Sequence, residues 1–194
     1  MQLIDDLRRE HELIERVALS LLTFAKSPND VDAALFVRFF RTYAGSWHHE
    51  REEELLTPAL EAEASLPADR GPIAVLLADH AAMSAMLDDL ADADTAARYA
   101  HALLQHIDVE NSVFFPESER RLRNELASRS ETEEELEARA IGEDLIRLYP
   151  PSIAADVVRG DGCVICPAYG DTCRGLEAEW WNEWEWETVG EGAD

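Results

Sequence analysis

Two segments of the chain carry the same arrangement of a histidine, a glutamate four residues later and a proline ten residues later. The residues are His48, Glu52 and Pro58 in the first segment and His106, Glu110 and Pro116 in the second. Four residues of α-helix turn through about 400°, so each His and its Glu project from one helix face, about one turn apart. One such pair is weak in an acidic chain. Two pairs with the same downstream proline indicate two helices that each present an imidazole and a carboxylate together.

Apolar residues recur at spacings of three and four along the first two-thirds of the chain, which predicts four amphipathic helices. The helices cover about residues 2–25, 31–63 and 71–90, and the fourth runs from a cap within 92–95 to about Leu126. Short polar turns separate them, and no stretch alternates with the period of a strand. The sequence therefore predicts an all-α fold, an antiparallel up-down four-helix bundle over residues 1–126.

Residues 127–194 are predicted to be a C-terminal extension, Cys/Trp-rich and acidic. A short fifth helix is expected over 131–147, with Ser130 and Glu133 placed to form a capping box. The composition changes after the prolines at 150–151, so the remainder is interpreted as a tail appended to the bundle.

The cysteines of this extension form a CxxC pair with a third thiol downstream. They are Cys163, Cys166 and Cys173. Three thiolates could hold Zn²⁺ with Asp171 or water as the fourth ligand, whereas structural zinc sites usually have four protein ligands. A zinc site and a metal-free thiol trio are both open interpretations.

The tail also carries an aromatic stripe. Leu176, Trp180 and Trp184 lie four residues apart, which favours an amphipathic helix. Such a helix could dock against the bundle, or it could bind a protein partner.

The net charge of −24 excludes several classes of partner. Nucleic-acid binding needs clustered Lys and Arg that release counterions, and an anionic membrane surface would repel this chain. No apolar run approaches the roughly 20 residues that span a bilayer, and no signal peptide is recognisable. We therefore expect a soluble, cytoplasmic protein.

The first and third predicted helices each add one inward histidine, His11 and His80. In an up-down bundle, four histidines and two glutamates from all four helices would converge at mid-height, where carboxylate-bridged di-metal sites are built. Imidazole and carboxylate together suit Fe, Mn or Zn. The sequence thus predicts a metal site.

Four segments resemble hemerythrin-like (HHE cation-binding) domains in order, spacing and flanking residues. They are DLRREHELIERV at 6–17, HHEREEELLTPAL at 48–60, GPIAVLLADHAAM at 71–83 and HIDVENSVFFP at 106–116. The resemblance covers about residues 1–125. It implies two iron ions, Fe²⁺ or Fe³⁺, bridged by Glu52 and Glu110, with His11, His48, His80 and His106 as terminal ligands.

The chain departs from the oxygen carriers of this family, which use five histidines with a pair one turn apart on the third helix. Here Leu76 and Ser84 flank His80 at that spacing. The remaining ligand could be His49, Glu50 or solvent. A shifted register that uses His49 and Glu53 would lose the match to the second repeated segment, so His48 and Glu52 are preferred.

The resemblance implies a non-haem di-iron protein that binds O2 or another small diatomic or peroxide ligand, in oxygen or iron sensing or in oxidative or nitrosative stress handling. One alternative is a di-iron peroxidase or catalase-like enzyme, or an iron donor for iron–sulfur repair. Another is a metal-stabilised interaction module that acts through its Trp-rich tail. Binding or sensing is favoured over catalysis, and no catalytic residue is assigned.

Overall fold

The computed structural model describes residues 2–152, and all of the regular structure among them is helical. The α-helices are α1 (Gln2–Phe24), α2 (Asp30–Phe39), α3 (Thr57–Ala64), α4 (Gly71–Met86), α5 (Ala93–Val109), α6 (Phe115–Arg121) and α7 (Glu133–Leu148). The π-helical segments are Phe40–His49, Glu52–Leu56 and Glu110–Phe114, and a 3₁₀ turn covers Leu87–Asp89. The all-α prediction is confirmed for these residues. The cysteine and tryptophan motifs lie outside them. No helix in this part of the chain is both long and apolar enough to span a bilayer.

Two of the predicted helices are rods in which α-helical and π-helical turns alternate. The first runs through α2 and α3, and the second through α5 and α6, with helical backbone at the junctions. Pro58 and Pro116 stand near the start of α3 and α6, directly after a π-helical segment. A proline inside a helix cannot donate a hydrogen bond and clashes with the turn before it, and the wider π turn accommodates that defect. Both repeated prolines are thus part of the rods.

The second rod ends at Arg121, which corrects the predicted end near Leu126. Leu122 is extended, with ψ 135°, and the Glu63 carboxylate accepts a 2.9 Å hydrogen bond from the Arg123 backbone N–H. This contact from the first rod satisfies a backbone donor just beyond the helix end.

The N-terminal caps of α2 and α5 lie where the sequence predicted them, and the cap of α7 does not. Asn29 caps α2, and Asp92 caps α5 by accepting a 2.8 Å bond from the Thr95 N–H. The capping box of α7 is formed by Thr132 and Glu135, so the predicted box at Ser130 and Glu133 is wrong. Both frames satisfy the pattern in sequence. The box forms at Thr132 and Glu135 because Glu135 also binds Arg129 and is buried.

Buried apolar side chains form two clusters, one toward each end of α1. Leu3, Ile4 and Leu7 belong to a cluster with α3, α4 and α6, whereas Ile14 and Val17 belong to a cluster with α2, α5 and α7. Fully burying one such side chain is worth about 1.5–3 kcal/mol, so both clusters stabilise the fold strongly. The α1 turn between them, which carries His11, lies at mid-height.

The helix contacts form a closed cycle that agrees with the predicted bundle. Helix α1 contacts α5 and the 40–49 segment, and α4 contacts the same two elements. Helix α7 packs outside this cycle against α1, α2 and the 40–49 segment, and Tyr149 at its end donates a 2.6 Å bond to Asp32. The up-down order and the boundary near residue 126 stay predictions.

The contact between α7 and α2 depends on a glycine. A Cβ added at Gly142 would lie 2.7 Å from Cδ2 of the fully buried Phe39 ring. We expect Gly142→Ala to lower the free energy of unfolding by about 1–2 kcal/mol, because overpacking exceeds the gain in helix propensity. Urea unfolding measures the change. The control is Ala140→Gly at an exposed site of α7, which should lose about 1 kcal/mol. A gain in stability for Gly142→Ala would contradict a tight contact.

Candidate metal centre

Seven buried side chains converge at mid-height in two groups that share Glu52. One group is His11, His48, Glu52 and Glu110, and the other is His49, Glu52, His80 and His106. Within each group, one ligand atom from every residue lies within 4.8 Å of the others. All six predicted ligands are therefore brought together, and His49 joins them. Glu50 is exposed and belongs to neither group.

Each of the two carboxylates reaches both groups. The Glu52 Oε1 atom lies 3.6 Å from His48 Nε2, and its Oε2 atom lies 3.5 Å from His80 Nε2. Glu110 places Oε2 at 3.1 Å from His11 Nε2 and Oε1 at 3.1 Å from His106 Nε2. A carboxylate that offers one oxygen to each of two histidine groups has the geometry of a bridge between two cations.

The oxygens of both carboxylates lack well-formed hydrogen bonds in the described part of the chain. Glu52 and Glu110 are completely buried, and none of their four oxygens has a hydrogen-bond partner of good geometry among residues 2–152. Burying a carboxylate without hydrogen bonds is strongly unfavourable, and such groups in proteins are paired or bind metals. The buried oxygens therefore fit a pair of bound cations.

Burial keeps several of the histidines in the neutral form that binds metals. Loss of solvent lowers the pKa of His48 to about 4, and the pKa values of His49 and His80 are lowered for the same reason. His106 differs: burial opposes its charge, but the nearby Glu110 carboxylate raises its pKa to about 9. A cation that binds here must displace the proton from His106.

The two glutamates have opposite pKa shifts. Burial, and then the charge of Glu110, hold the pKa of Glu52 well above its usual range. Burial acts in the same direction on Glu110, but the His106 and His11 imidazoles hold its pKa well below the usual range. Two adjacent buried carboxylates do not both ionise readily without positive charge nearby. Cations in both groups would supply that charge.

Four of the five histidines also bind an oxygen on the side away from the centre. The Nδ1 partners are Asn111 for His11 at 3.0 Å, Glu10 for His48 at 3.0 Å, Glu53 for His80 at 2.8 Å and Asp79 for His106 at 3.4 Å. These bonds point each Nε2 toward the centre and fix the tautomer. Each oxygen comes from the neighbouring helix or rod, so the four contacts run once round the cycle of helices.

Comparison with protein-family models matches residues 2–118 to the hemerythrin HHE cation-binding domain. The chain belongs to the hemerythrin HHE cation-binding family. The predicted resemblance, over about residues 1–125, is confirmed. Comparisons with curated proteins and with solved structures find no significant match. Membership of a cation-binding family and the two buried groups together support metal binding by this hemerythrin-family chain.

Both adjacent histidines lie in the π-helical segment Phe40–His49, and each belongs to one of the two groups. A π turn holds more residues than an α turn, so neighbouring side chains are closer in angle than the 100° assumed for His48 and His49 in sequence. In this hemerythrin-family chain His49 supplies the third imidazole of the second group. The third predicted helix supplies only His80, because Leu76 and Ser84 stand one turn away on either side of it.

The sequence interpretation missed the oxygens behind the histidines. Each stands directly beside a ligand in the chain, as Glu10 stands beside His11 and Asp79 beside His80. That adjacency was the available signal. Sequence does not show which histidine each oxygen binds, because the partner lies on another helix, as His48 does for Glu10.

Proposed function

We propose that this chain is a non-haem di-iron protein that binds O2 or a related small molecule. The main support is that Glu52 and Glu110 each offer one buried oxygen to each histidine group and have no other partner of good geometry among the described residues. Iron in such a site supplies one-electron redox chemistry and affinity for O2, other diatomic ligands and peroxide.

The proposed ligands divide into two sets around the shared carboxylates. We assign His11 and His48 to one iron, His49, His80 and His106 to the other, and Glu52 and Glu110 to both. Burial keeps His48 and His49 neutral, and the outer oxygens orient the rings. The apolar clusters on either side limit access of water to this layer.

We propose a role in oxygen or iron sensing or in stress handling. The support is the centre itself, five buried histidines and two buried carboxylates in a cation-binding family, which suit a metal ion that binds a small ligand. Cytoplasmic location, zinc at Cys163, Cys166 and Cys173, and a protein partner for the Trp-rich tail stay predictions.

Metal content tests the proposal directly. Protein expressed with ample iron and purified anaerobically should contain about two irons per chain by elemental analysis. Addition of O2 should then produce ligand-to-metal absorption in the near ultraviolet. Less than about one iron per chain, or replacement of iron by zinc or manganese under the same supply, would contradict the di-iron assignment.

A further inference from the structure

A buried guanidinium lies on the outer side of His48. Arg51 is 3% exposed, and each of its three nitrogens donates a hydrogen bond. Its Nη2 atom binds the Glu10 carboxylate, Nε binds the Trp47 carbonyl at 2.7 Å, and Nη1 binds Ser128 Oγ at 2.6 Å. A buried arginine with a partner on every nitrogen is held in one position.

Glu10 joins this guanidinium to the metal centre. One Glu10 oxygen, Oε2, accepts a hydrogen bond from Arg51 and another from His48 Nδ1, the latter at 3.0 Å. Glu10 is buried, so water is poorly placed to hold that oxygen if Arg51 moves. Since an outer hydrogen bond sets the ring orientation of a metal ligand, the position of Arg51 contributes to where His48 Nε2 points.

Two guanidinium groups meet at the Trp47 ring, which directly precedes His48 in the chain. The Arg51 Cζ atom lies 3.7 Å from the ring centroid, and the Arg129 Cζ atom lies 4.6 Å from it. Arg129 also donates a 3.1 Å hydrogen bond to the Ser46 carbonyl. Arg129 therefore contacts the segment that carries His48 at a side chain and at the backbone.

These outer contacts come from the linker between α6 and α7, residues 122–132, which lies beyond the family-matched residues 2–118. Ser128 and Arg129 both belong to it. The linker is fixed to α7 in turn, because Arg129 donates a 2.7 Å bond to Glu135, the buried glutamate of the capping box. A chain of contacts thus joins the first turn of α7 to the metal centre.

We propose that Arg51 is a positioning residue for His48 and that the linker holds it in place, so that the cation affinity of the centre depends on the docking of the linker. Arg51 acts through Glu10 and is not itself a ligand. Because coupling between two sites is reciprocal, a bound cation also favours the docked linker. The inference rests on the proposed metal binding and gives a role to a part of the chain outside the family-matched residues.

The Fe²⁺ affinity of the full chain tests this coupling, measured anaerobically by competition with a chelator of known affinity. Arg129→Ala removes the contacts to Trp47 and Ser46, and we expect it to weaken Fe²⁺ binding about fivefold or more. Arg38→Ala is the matched control and should bind Fe²⁺ like the wild type. Arg38 also binds a glutamate of α7, Glu137, at 2.6 Å, and its side chain is 48% exposed against 41% for Arg129.

A general loss of stability would not produce this difference. Well below the unfolding transition nearly every iron-free molecule is folded and competent to bind, so a less stable fold leaves the measured affinity unchanged. Far-ultraviolet circular dichroism of the iron-free variants checks that condition. Equal losses of affinity in Arg129→Ala and Arg38→Ala would show that docking of α7 in general matters, and would overturn the path through Arg51.

Arg51→Lys tests the path itself. Lysine keeps the buried positive charge, but one ammonium cannot reproduce the fork that binds Glu10, Trp47 and Ser128 together. The variant should weaken Fe²⁺ binding, and adding Arg129→Ala should then weaken it little further, because both changes break the same path. Additive losses, or wild-type affinity in Arg129→Ala, would overturn the inference. A wild-type chain that binds no Fe²⁺ would overturn the proposed function instead.

Discussion

Glu52→Leu is expected to remove both cations from the centre. Glu52 is common to the two groups, with one oxygen 3.6 Å from His48 Nε2 and the other 3.5 Å from His80 Nε2. Its loss deprives each group of an anionic ligand at once. We expect iron content to fall from about two per chain to well below one, measured by elemental analysis after anaerobic purification. Glu54→Leu, at an exposed site in the same segment, should leave iron content unchanged.

The same substitution should affect stability in a way that a merely structural role would not. A cation at a thousandfold excess over its Kd stabilises the folded state by about 4 kcal/mol, and Glu52→Leu should lose that gain. In the iron-free state, however, the variant should be at least as stable as wild type, because an apolar group of similar size replaces a buried carboxylate without a hydrogen-bond partner. Thermal unfolding with and without chelator measures both effects. Two irons in the variant, or an iron-free form much less stable than iron-free wild type, would contradict the bridging role.

The helices and the clustering of the predicted site residues follow closely from sequence, because their signals are local. The spacing of apolar residues predicted the rods to within a few residues, and the repeated His and Glu pairs predicted which faces meet. The errors occur where a contact outside the local helix pattern is made. Glu63 binds the backbone just beyond the end of the second rod from 60 residues away, and Arg129 binds Glu135, which closes the Thr132 capping box, from six residues away. Neither contact is part of the residue spacing that predicts a helix.

His49 shows a second limit of sequence reasoning. On an ideal α-helix, His48 and His49 point in directions about 100° apart, so one of them had to be chosen. In the structure both lie in a π-helical segment, and both belong to the centre. The downstream proline predicts a local defect, since a proline inside a continuous helix cannot donate its hydrogen bond. That defect is the later segment Glu52–Leu56, however, and no comparable signal marks the segment Phe40–His49 that carries the two histidines.

Glu53→Ala is expected to weaken metal binding about 10–100-fold without touching a ligand. The Glu53 carboxylate lies 2.8 Å from His80 Nδ1 and is 40% exposed, so it orients the ring from the outer side. Without it, the His80 imidazole loses its fixed tautomer and part of its basicity. Competition with a chelator of known affinity measures the change. Glu54→Ala, one residue along and exposed, is the matched control and should bind iron like the wild type.

A conservative variant separates orientation from charge. Glu53→Gln keeps an oxygen acceptor for the Nδ1–H but removes the negative charge, so it should recover most of the affinity if orientation dominates. Asn111 already fills the corresponding place behind His11 with a neutral amide, at 3.0 Å. That contact indicates that an uncharged acceptor suffices in this centre. If Glu53→Gln is as weak as Glu53→Ala, the charge of Glu53 and not its hydrogen bond supports His80. If Glu53→Ala binds iron as tightly as wild type, the outer oxygens do not contribute to metal affinity.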